Sequence, residues 1–261
     1  MFYIIKVEGH ATPHITKRFR VNSFIKLIIL LNNTTLNQQL FTMQRFFNRL
    51  SYLRYLIALY ILACFSACNH SSGEFQPIFD GQTFNGWNGD TTRIWRIEDK
   101  MIIGGSLEKT VPQNEFLCTN ASYKNFILTF KIKLTGEEGF INSGVQIWSK
   151  RLTEPAHEMQ GFQADWGEGY WASLYDESRR NETLAAPDST LVEDWIHKND
   201  WNDYKIHAEN GHIQLHINGH QTVDYTEKDP SVATEGIIGL QIHGGGKALV
   251  AFKDLQLKKL D

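Results

Sequence analysis

The chain has 261 residues, of which 42% are hydrophobic, and a formal net charge of −3 at pH 7. Eight basic residues against one acidic residue give residues 1–67 a net charge of +7, so the rest of the chain carries −10. Because nucleic-acid binding draws its affinity from a basic surface, this acidic body excludes nucleic acid as an expected partner and favours an exported domain behind a removable or membrane-facing front segment.

The front segment has the form of a bacterial lipoprotein signal peptide. Its basic flank consists of Arg45, Arg49 and Arg54. The apolar run that follows, residues 55–67 (YLIALYILACFSA), ends at Cys68 and is shorter than the ~20 residues a membrane-spanning helix needs. We therefore expect a signal peptide over 43–67, export, and a lipid anchor on Cys68 that holds the protein to a bacterial membrane, with Cys64 as the alternative site.

The domain boundaries follow from this interpretation. Residues 1–42, in which nothing resembles a domain, become an upstream extension of the reading frame, and residues 68–76 become a flexible tether. Residues 77–261 then form a single domain. Since Cys118 would be its one remaining cysteine, no intramolecular disulfide is expected.

From residue 77 onward the sequence alternates apolar and polar residues between Gly and Asn turn signals, which is typical of an all-β domain. The Asn210-Gly211 pair suits a type I′ hairpin turn, in which both central residues take a positive φ. Counting outward from this turn predicts three apolar pairs on one face: Ala208 with Ile213, Ile206 with Leu215, and Tyr204 with Ile217.

Further strands are predicted over 126–134, 144–148, 162–166, 173–177, 237–243 and 248–257, with one helix over 189–198. So many strands in one domain indicate a two-sheet antiparallel β-sandwich of jelly-roll type.

The alternation within each strand separates core residues from outward residues. The expected core set is Val145, Ile147, Phe162, Ala164, Trp166, Leu174, Leu240 and Ile242. The expected outward set is Gln146, Trp148, Gln163, Asp165, Tyr175, Glu177, Gln241 and His243. Amides and carboxylates bind sugar hydroxyls and aromatic rings pack on sugar rings, so this set favours a carbohydrate site. The alternative is four separate solvated strand faces, since the pattern does not show that the strands are neighbours.

Two further features flank these strands. Arg179 and Arg180 could clamp an anionic group or stabilise an enolate; the alternative is an ion pair with Asp176 or Glu182, and we interpret Asp176 as a surface charge. His243 precedes three glycines, where a backbone without side chains lets a ligand approach closely.

Segments spread over the whole domain resemble, in their shared order, the bacterial 3-keto-disaccharide hydrolase family. They are FQPIFDGQTFNGW, WRIEDKMI, YKNFILTFKIKL, NSGVQIW, GFQADWGEGYWASLYDESRR, WNDYKIHAENGHIQLHINGHQTVDY and GIIGLQIHGGGKALVAFKDLQLKKL. The resemblance implies a concanavalin A-like lectin/glucanase fold. It also implies a substrate class, glycosides already oxidised to a ketone at carbon 3, and a separate sugar 3-dehydrogenase that supplies them.

The implied chemistry assigns roles to the outward residues. A ketone at carbon 3 acidifies the proton on carbon 2, so a base can form an enolate, the aglycone on carbon 1 departs, and water adds back. Such a reaction needs a base and an acid, and Asp165, Glu177 and His243 are the candidates. The enolate could be stabilised by Arg179 or Arg180, or by a divalent metal ion held by Asp165, Glu177 and His243.

The remaining candidates are expected to bind the carbohydrate: Gln146, Trp148, Gln163, Tyr175 and Gln241, with Arg179 and Arg180. Glu158 joins them by position only, in the segment AHEMQ. Two other functions stay open. One is an ordinary glycosidase that uses Asp165 and Glu177 as paired carboxylates, and the other is a non-catalytic carbohydrate-binding module.

Overall fold

The computed structural model describes residues 73–261 together with Arg45. Apart from Arg45, the predictions for the upstream extension, the signal peptide, Cys64 and Cys68 therefore lie outside the described residues. No helix in the described part of the chain is long and apolar enough to cross a membrane. Both sheets belong to one compact unit, Ser71–Asp261.

The described domain is a sandwich of two antiparallel sheets. The eight-stranded sheet has the spatial order β13 (His220–Thr226), β12 (His212–Ile217), β11 (Asn202–Glu209), β6 (Phe126–Gly139), β15 (Gly246–Lys259), β4 (Met101–Gly105) and β3 (Trp95–Glu98), with β1 (Gln76–Pro77) also paired to β15. The seven-stranded sheet has the order β10 (Thr183–Ala185), β9 (Leu174–Glu177), β8 (Met159–Gly167), β7 (Asn142–Arg151), β14 (Gly236–Ile242), β5 (Glu115–Tyr123) and β2 (Trp87–Asn88). The predicted all-β sandwich is confirmed.

One helix, α1 (Ser189–Trp195), lies in the connection between the two sheets. The Asp188 side chain caps it by accepting a hydrogen bond from the backbone N–H of Thr190. The helix ends three residues before the predicted boundary because Ile196 takes an extended conformation and buries its side chain.

The hairpin β11–β12 forms in the predicted register. Its pairs include Ala208 with Ile213, Ile206 with Leu215, and Tyr204 with Ile217. Asn210 and Gly211 at its turn have φ values of 51° and 83°, as a type I′ turn requires.

The core between the sheets contains every residue that the alternation assigned to it. A second, smaller apolar cluster lies apart from this core and consists of Phe116, Cys118 and Met159, with Ile237 packed against it. These residues come from β5, β8 and β14, so part of the seven-stranded sheet has apolar packing beyond the main core.

The prediction that Trp148 faces outward was wrong. Strand β7 pairs with β8 at Ile147, and the next pair is at Lys150 with Gln160, so two residues of β7 oppose one residue of β8. This β-bulge interrupts the two-residue period, and Trp148 takes a φ of 48° within it. Its ring turns into the core, where it meets Phe162 edge-on at 6.0 Å.

Candidate active site

The four strands that carry the predicted polar residues are consecutive neighbours, in the order β9, β8, β7 and β14. Tyr175 lies opposite Gln163, which lies opposite Gln146. Asp165 lies opposite Gly144, which lies opposite Gln241. Since opposed residues point to the same face, these side chains share the outer face of the seven-stranded sheet. The alternative of four separate solvated faces is excluded.

A pocket of about 170 Å³ opens on this face. Its lining residues are Phe140, Asn142, Gln163, Asp165, Tyr170, Tyr175, Glu177 and His243. Five of these eight were sequence candidates, and the structure brings them together. A larger cleft of about 600 Å³ lies beside Arg179 and Arg180 and does not include Asp165 or Glu177.

The sequence analysis missed Phe140, Asn142 and Tyr170. Extending the alternation of β7 back from Gly144 would have placed Asn142 on the same face. Tyr170 lies in the turn after β8, and Phe140 lies between β6 and β7, so neither has a strand period that could reveal its direction.

A row of hydrogen-bonded polar side chains leads through the sheet face to Asp165. Ser149 Oγ lies 2.7 Å from Gln146 Oε1, Gln146 Nε2 donates to Gln163 Oε1 at 2.8 Å, and Gln163 Nε2 donates to Asp165 Oδ1 at 2.8 Å. All four residues are buried. The amide of Gln146 is therefore engaged with its neighbours, and Gln163 is the member of the row that reaches the pocket.

Asp165 is a buried carboxyl group with a shifted pKa. Loss of hydration raises its pKa from 3.8 to about 7, and this effect exceeds the opposing effect of the hydrogen bond from Gln163. The negative charge of Glu177 raises the Asp165 pKa further. Asp165 can thus exchange a proton near neutral pH.

Glu177 is shifted in the same direction. Burial is the largest cause, and the nearby charge of Glu158 is the next, and together they raise the Glu177 pKa from 4.5 to about 7. Two carboxyl groups in one pocket, each with a pKa near 7, form an arrangement in which one group can accept a proton while the other donates one.

His243 has a fixed ring orientation at the edge of the pocket. Its Nδ1 lies 2.7 Å from the carbonyl oxygen of Gly244, which requires the proton to be on Nδ1. Nε2 is then the ring nitrogen that can contact a ligand. The ring of Phe140 packs edge-on against it at 4.6 Å.

Glu158 and Gln241 lie in the surroundings of the pocket rather than in its lining. Glu158 Oε1 accepts a hydrogen bond from Asn114 Nδ2 at 2.9 Å, and Asn114 Oδ1 in turn accepts from the backbone N–H of Gly244. The amide of Gln241 is fully buried and makes no hydrogen bond with the described residues. An unpaired buried amide costs about 1–3 kcal/mol.

Arg179 and Arg180 are not brought to the pocket. Both form ion pairs with Asp176, whose side chain is fully buried, and Arg180 also holds Glu227 through two hydrogen bonds of 2.8 and 3.0 Å. The alternative of an ion pair with Asp176 is therefore the one observed. The interpretation of Asp176 as a surface charge was wrong, because in β9 its side chain points to the face opposite to Tyr175 and Glu177.

The divalent metal ion considered for Asp165, Glu177 and His243 stays a prediction. Within residues 73–261, no three His, Cys, Asp or Glu side chains are grouped closely enough to hold a metal ion. Asp165, Glu177 and His243 share the pocket lining without forming such a group.

Two glycines leave room for the hydrogen-bonded row of side chains. A Cβ at Gly144, between Asp165 and Gln241, would come within 2.9 Å of Gln163 Cγ. A Cβ at Gly161, on the same strand as Asp165, would come within 2.0 Å of Ser149 Oγ, and Gly161 has a φ of 155°. A larger residue at either position would displace the hydrogen-bonded row.

Comparison with protein families gives one match. The model of the family described as a 3-keto-alpha-glucoside-1,2-lyase-like domain matches residues 74–258, nearly the whole described domain. No curated protein matches the chain at a significant level.

Three solved structures with a similar fold come from bacteria. A protein of Parabacteroides distasonis ATCC 8503, described as a candidate glycosyl hydrolase, has a TM-score of 0.55 and 19% identity over 72% of this chain and 94% of its own. The carbohydrate-binding module CBM66 of Bacillus subtilis has a TM-score of 0.52 and 16% identity over 67% and 96%. A Bacillus subtilis protein of unknown function with a galectin-like fold has a TM-score of 0.51 and 11% identity over 71% and 94%. At these identities the likeness concerns the fold alone, and it confirms the predicted jelly-roll sandwich.

Proposed function

The chain belongs to the 3-keto-alpha-glucoside-1,2-lyase-like domain family, and from this membership we propose that it is a carbohydrate-active enzyme that cleaves glycosides carrying a ketone at carbon 3. The observation that carries the proposal is the pair Asp165 and Glu177, two carboxyl groups of one small pocket whose pKa values are both raised to about 7. A base of this strength is matched to a carbon acid activated by a neighbouring ketone.

Asp165 acts as the base in this proposal. The N–H of Gln163 points at its Oδ1 and so stabilises the carboxylate form. Asp165 takes the proton from carbon 2, and the electron pair of that bond moves into the ketone to give an enolate. The negative charge passes from Asp165 to the substrate, so the total charge of the pocket does not change.

Glu177 acts as the acid. Burial, and then the nearby charge of Glu158, raise the pKa of Glu177 to about 7, which keeps a proton on part of the Glu177 population near neutral pH. As the enolate collapses, the bond between carbon 1 and the departing oxygen breaks, and Glu177 gives its proton to that oxygen. Addition of water across the resulting double bond completes a net hydrolysis and returns the protons.

Neutral hydrogen-bond donors of the lining stabilise the enolate. With Arg179 and Arg180 engaged by Asp176 and Glu227, the donors at hand are the amide of Asn142 and the hydroxyl group of Tyr175. Donors placed in a buried pocket interact strongly with a developing charge because little water competes for it.

The test is aglycone release from a 3-keto-glucoside, measured against the same glucoside without the ketone. We expect cleavage of the keto sugar alone, and loss of that cleavage in Asp165→Asn and Glu177→Gln. The matched control is Glu168→Gln, since Glu168 is a carboxylate in the connection between β8 and β9 with 79% of its side chain exposed. In deuterated water the proton on carbon 2 should exchange before or during cleavage, which nuclear magnetic resonance detects.

The outcomes separate the alternatives. Cleavage of the unoxidised glucoside without exchange at carbon 2 would indicate an ordinary glycosidase. Saturable sugar binding without turnover, unchanged in Asp165→Asn, would indicate a binding module. Either result would refute the proposal.

We further propose that the enzyme is exported and anchored to a bacterial membrane through a lipid on Cys68, and that a separate sugar 3-dehydrogenase supplies its substrate. The support for the anchor is the basic flank, the apolar run 55–67 and the cysteine that follows it. Metabolic labelling with an alkyne fatty acid should mark the wild type and not Cys68→Ser. Labelling lost in Cys64→Ser and retained in Cys68→Ser would move the anchor to Cys64.

A further inference from the structure

The pocket is too small to hold a whole glycoside. Its volume of about 170 Å³ lies below the roughly 300–1,000 Å³ of sites that enclose drug-sized ligands. The buried carboxyl of Asp165 lies at its floor, with 4% of the residue exposed. A sugar ring that brings carbon 2 to Asp165 therefore fills the pocket, and the group on carbon 1 must extend through the mouth.

Two aromatic side chains stand at this mouth. Of the large hydrophobic side chains that residues 73–261 expose to solvent, Phe140 at 41% and Tyr170 at 40% line the pocket. Their ring centroids are 6.2 Å apart, and their planes are nearly perpendicular, at 81°. Together they form an L-shaped aromatic rim that continues the pocket outward.

The rim is held in place before any ligand binds. The backbone N–H of Tyr170 donates to the carbonyl oxygen of Gly167 at 2.9 Å, and its carbonyl oxygen accepts from Ser173 Oγ at 3.0 Å. The backbone N–H of Phe140 donates to the carbonyl oxygen of Gly245, and its ring packs on His243. Residues whose backbone is already held in this way lose little conformational freedom when a ligand stacks on their rings.

The polarity of the lining divides the site in two. The pocket holds the carboxyl and amide groups, which can hydrogen-bond to the hydroxyl groups of the sugar: Asn142, Gln163, Asp165 and Glu177. The rim offers two π-faces and one phenolic hydroxyl. A second sugar would need hydrogen-bond partners for several hydroxyl groups, whereas a flat aromatic group needs only the ring surfaces.

We propose that Phe140 and Tyr170 form the subsite for the departing group and select an aromatic aglycone. This inference rests on the proposed cleavage of 3-keto-glycosides. The departing group stacks on one ring with its edge toward the other, and it leaves into solvent once its oxygen has taken the proton from the acid.

The experiment compares three 3-keto-glucosides, with benzyl, cyclohexylmethyl and methyl departing groups. All three leave as alcohols of similar basicity, so the first two differ mainly in having an aromatic or an aliphatic ring. The wild type should prefer the benzyl compound. Phe140→Leu and Tyr170→Leu keep apolar bulk while removing a π-face, and each should lower kcat/KM for the benzyl compound about 3- to 10-fold more than for the methyl compound.

The matched control is Phe75→Leu, since Phe75 is an aromatic residue with 45% exposure that is not part of the pocket. It should leave kcat/KM unchanged for both the benzyl and the methyl compound. Equal losses on the benzyl and methyl compounds, or no loss on the benzyl compound, would overturn the inference while the proposed function stands. A larger loss on a 3-keto-disaccharide than on the benzyl compound would overturn it in favour of a second sugar. Inactivity of the folded wild type on every keto-glycoside would overturn the proposed function and this inference with it.

Discussion

Replacing Asp165 by Asn should stabilise the protein, and the gain should grow as the pH rises. In the folded protein the Asp165 pKa is raised from 3.8 to about 7, because burial removes the hydration of the carboxylate. A raised folded-state pKa means that the stability contributed by this group is fully present below pH 3.8 and is lost as the pH rises through 7. Asn carries no charge at any of these pH values and avoids the loss.

The size of the effect follows from the shift. About three pKa units correspond to about 4 kcal/mol in the free energy of unfolding. At pH 5 the carboxylate form of the unfolded chain already removes about 1.5 kcal/mol, and at pH 8 the full 4 kcal/mol or so is lost. Asn also keeps an oxygen in place to accept the hydrogen bond from Gln163. The variant's advantage should therefore increase by about 2.5 kcal/mol between these two pH values.

The assay is denaturant unfolding of the wild type and Asp165→Asn at pH 5 and pH 8, with Glu168→Gln as the exposed control. The informative quantity is how much the stability difference between the variant and the wild type changes from pH 5 to pH 8, since a change in packing affects the measurements at both pH values alike. If the variant and the wild type differ in stability by the same amount at pH 5 and pH 8, the Asp165 carboxylate is not destabilised by burial. The assignment of Asp165 as a base near neutral pH would then lose its physical basis.

Two further predictions concern Gln163, which hydrogen-bonds to Asp165, and Asp176, on the opposite face of β9 from Glu177. Gln163→Met removes the N–H that stabilises the Asp165 carboxylate, so the acidic limb of the pH–rate profile should move up by about one to two units, and an unmoved limb would contradict the hydrogen-bond role of Gln163. Asp176→Ala removes the buried partner of Arg179 and one of the two acidic partners of Arg180, and it should lower the free energy of unfolding by about 3–5 kcal/mol, whereas a loss under about 1 kcal/mol would be that of an exposed pair.

Local chemistry explains what the sequence could predict. The β11–β12 hairpin was predicted to the residue because Asn210-Gly211 dictates the turn and the turn dictates the register. The division of β8 into core residues and pocket residues needed only the two-residue period, which places Gln163 and Asp165 on the face opposite to Phe162.

The features that the sequence analysis missed depend on contacts between residues far apart in the sequence, which no local pattern contains. The bulge in β7 turned Trp148 into the core, and nothing in the alternation of that strand marks it. Arg180 forms an ion pair with Glu227, which is 47 residues away in the sequence. It is therefore not placed to stabilise an enolate in the pocket, the role that its position shortly after Glu177 had suggested. The aromatic rim combines Phe140 and Tyr170 from two loops that meet only because β7 and β8 pair.

The second apolar cluster has a consequence for motion. Phe116, Cys118 and Met159 cover part of the outer face of the seven-stranded sheet, while the main core covers its inner face. Backbone amides of strands packed on both faces exchange with solvent only when the whole domain opens. Hydrogen exchange in β5, in β14 and at the start of β8 should accordingly be among the slowest in the described domain, so the strand that holds Asp165 keeps its position without help from a closing loop.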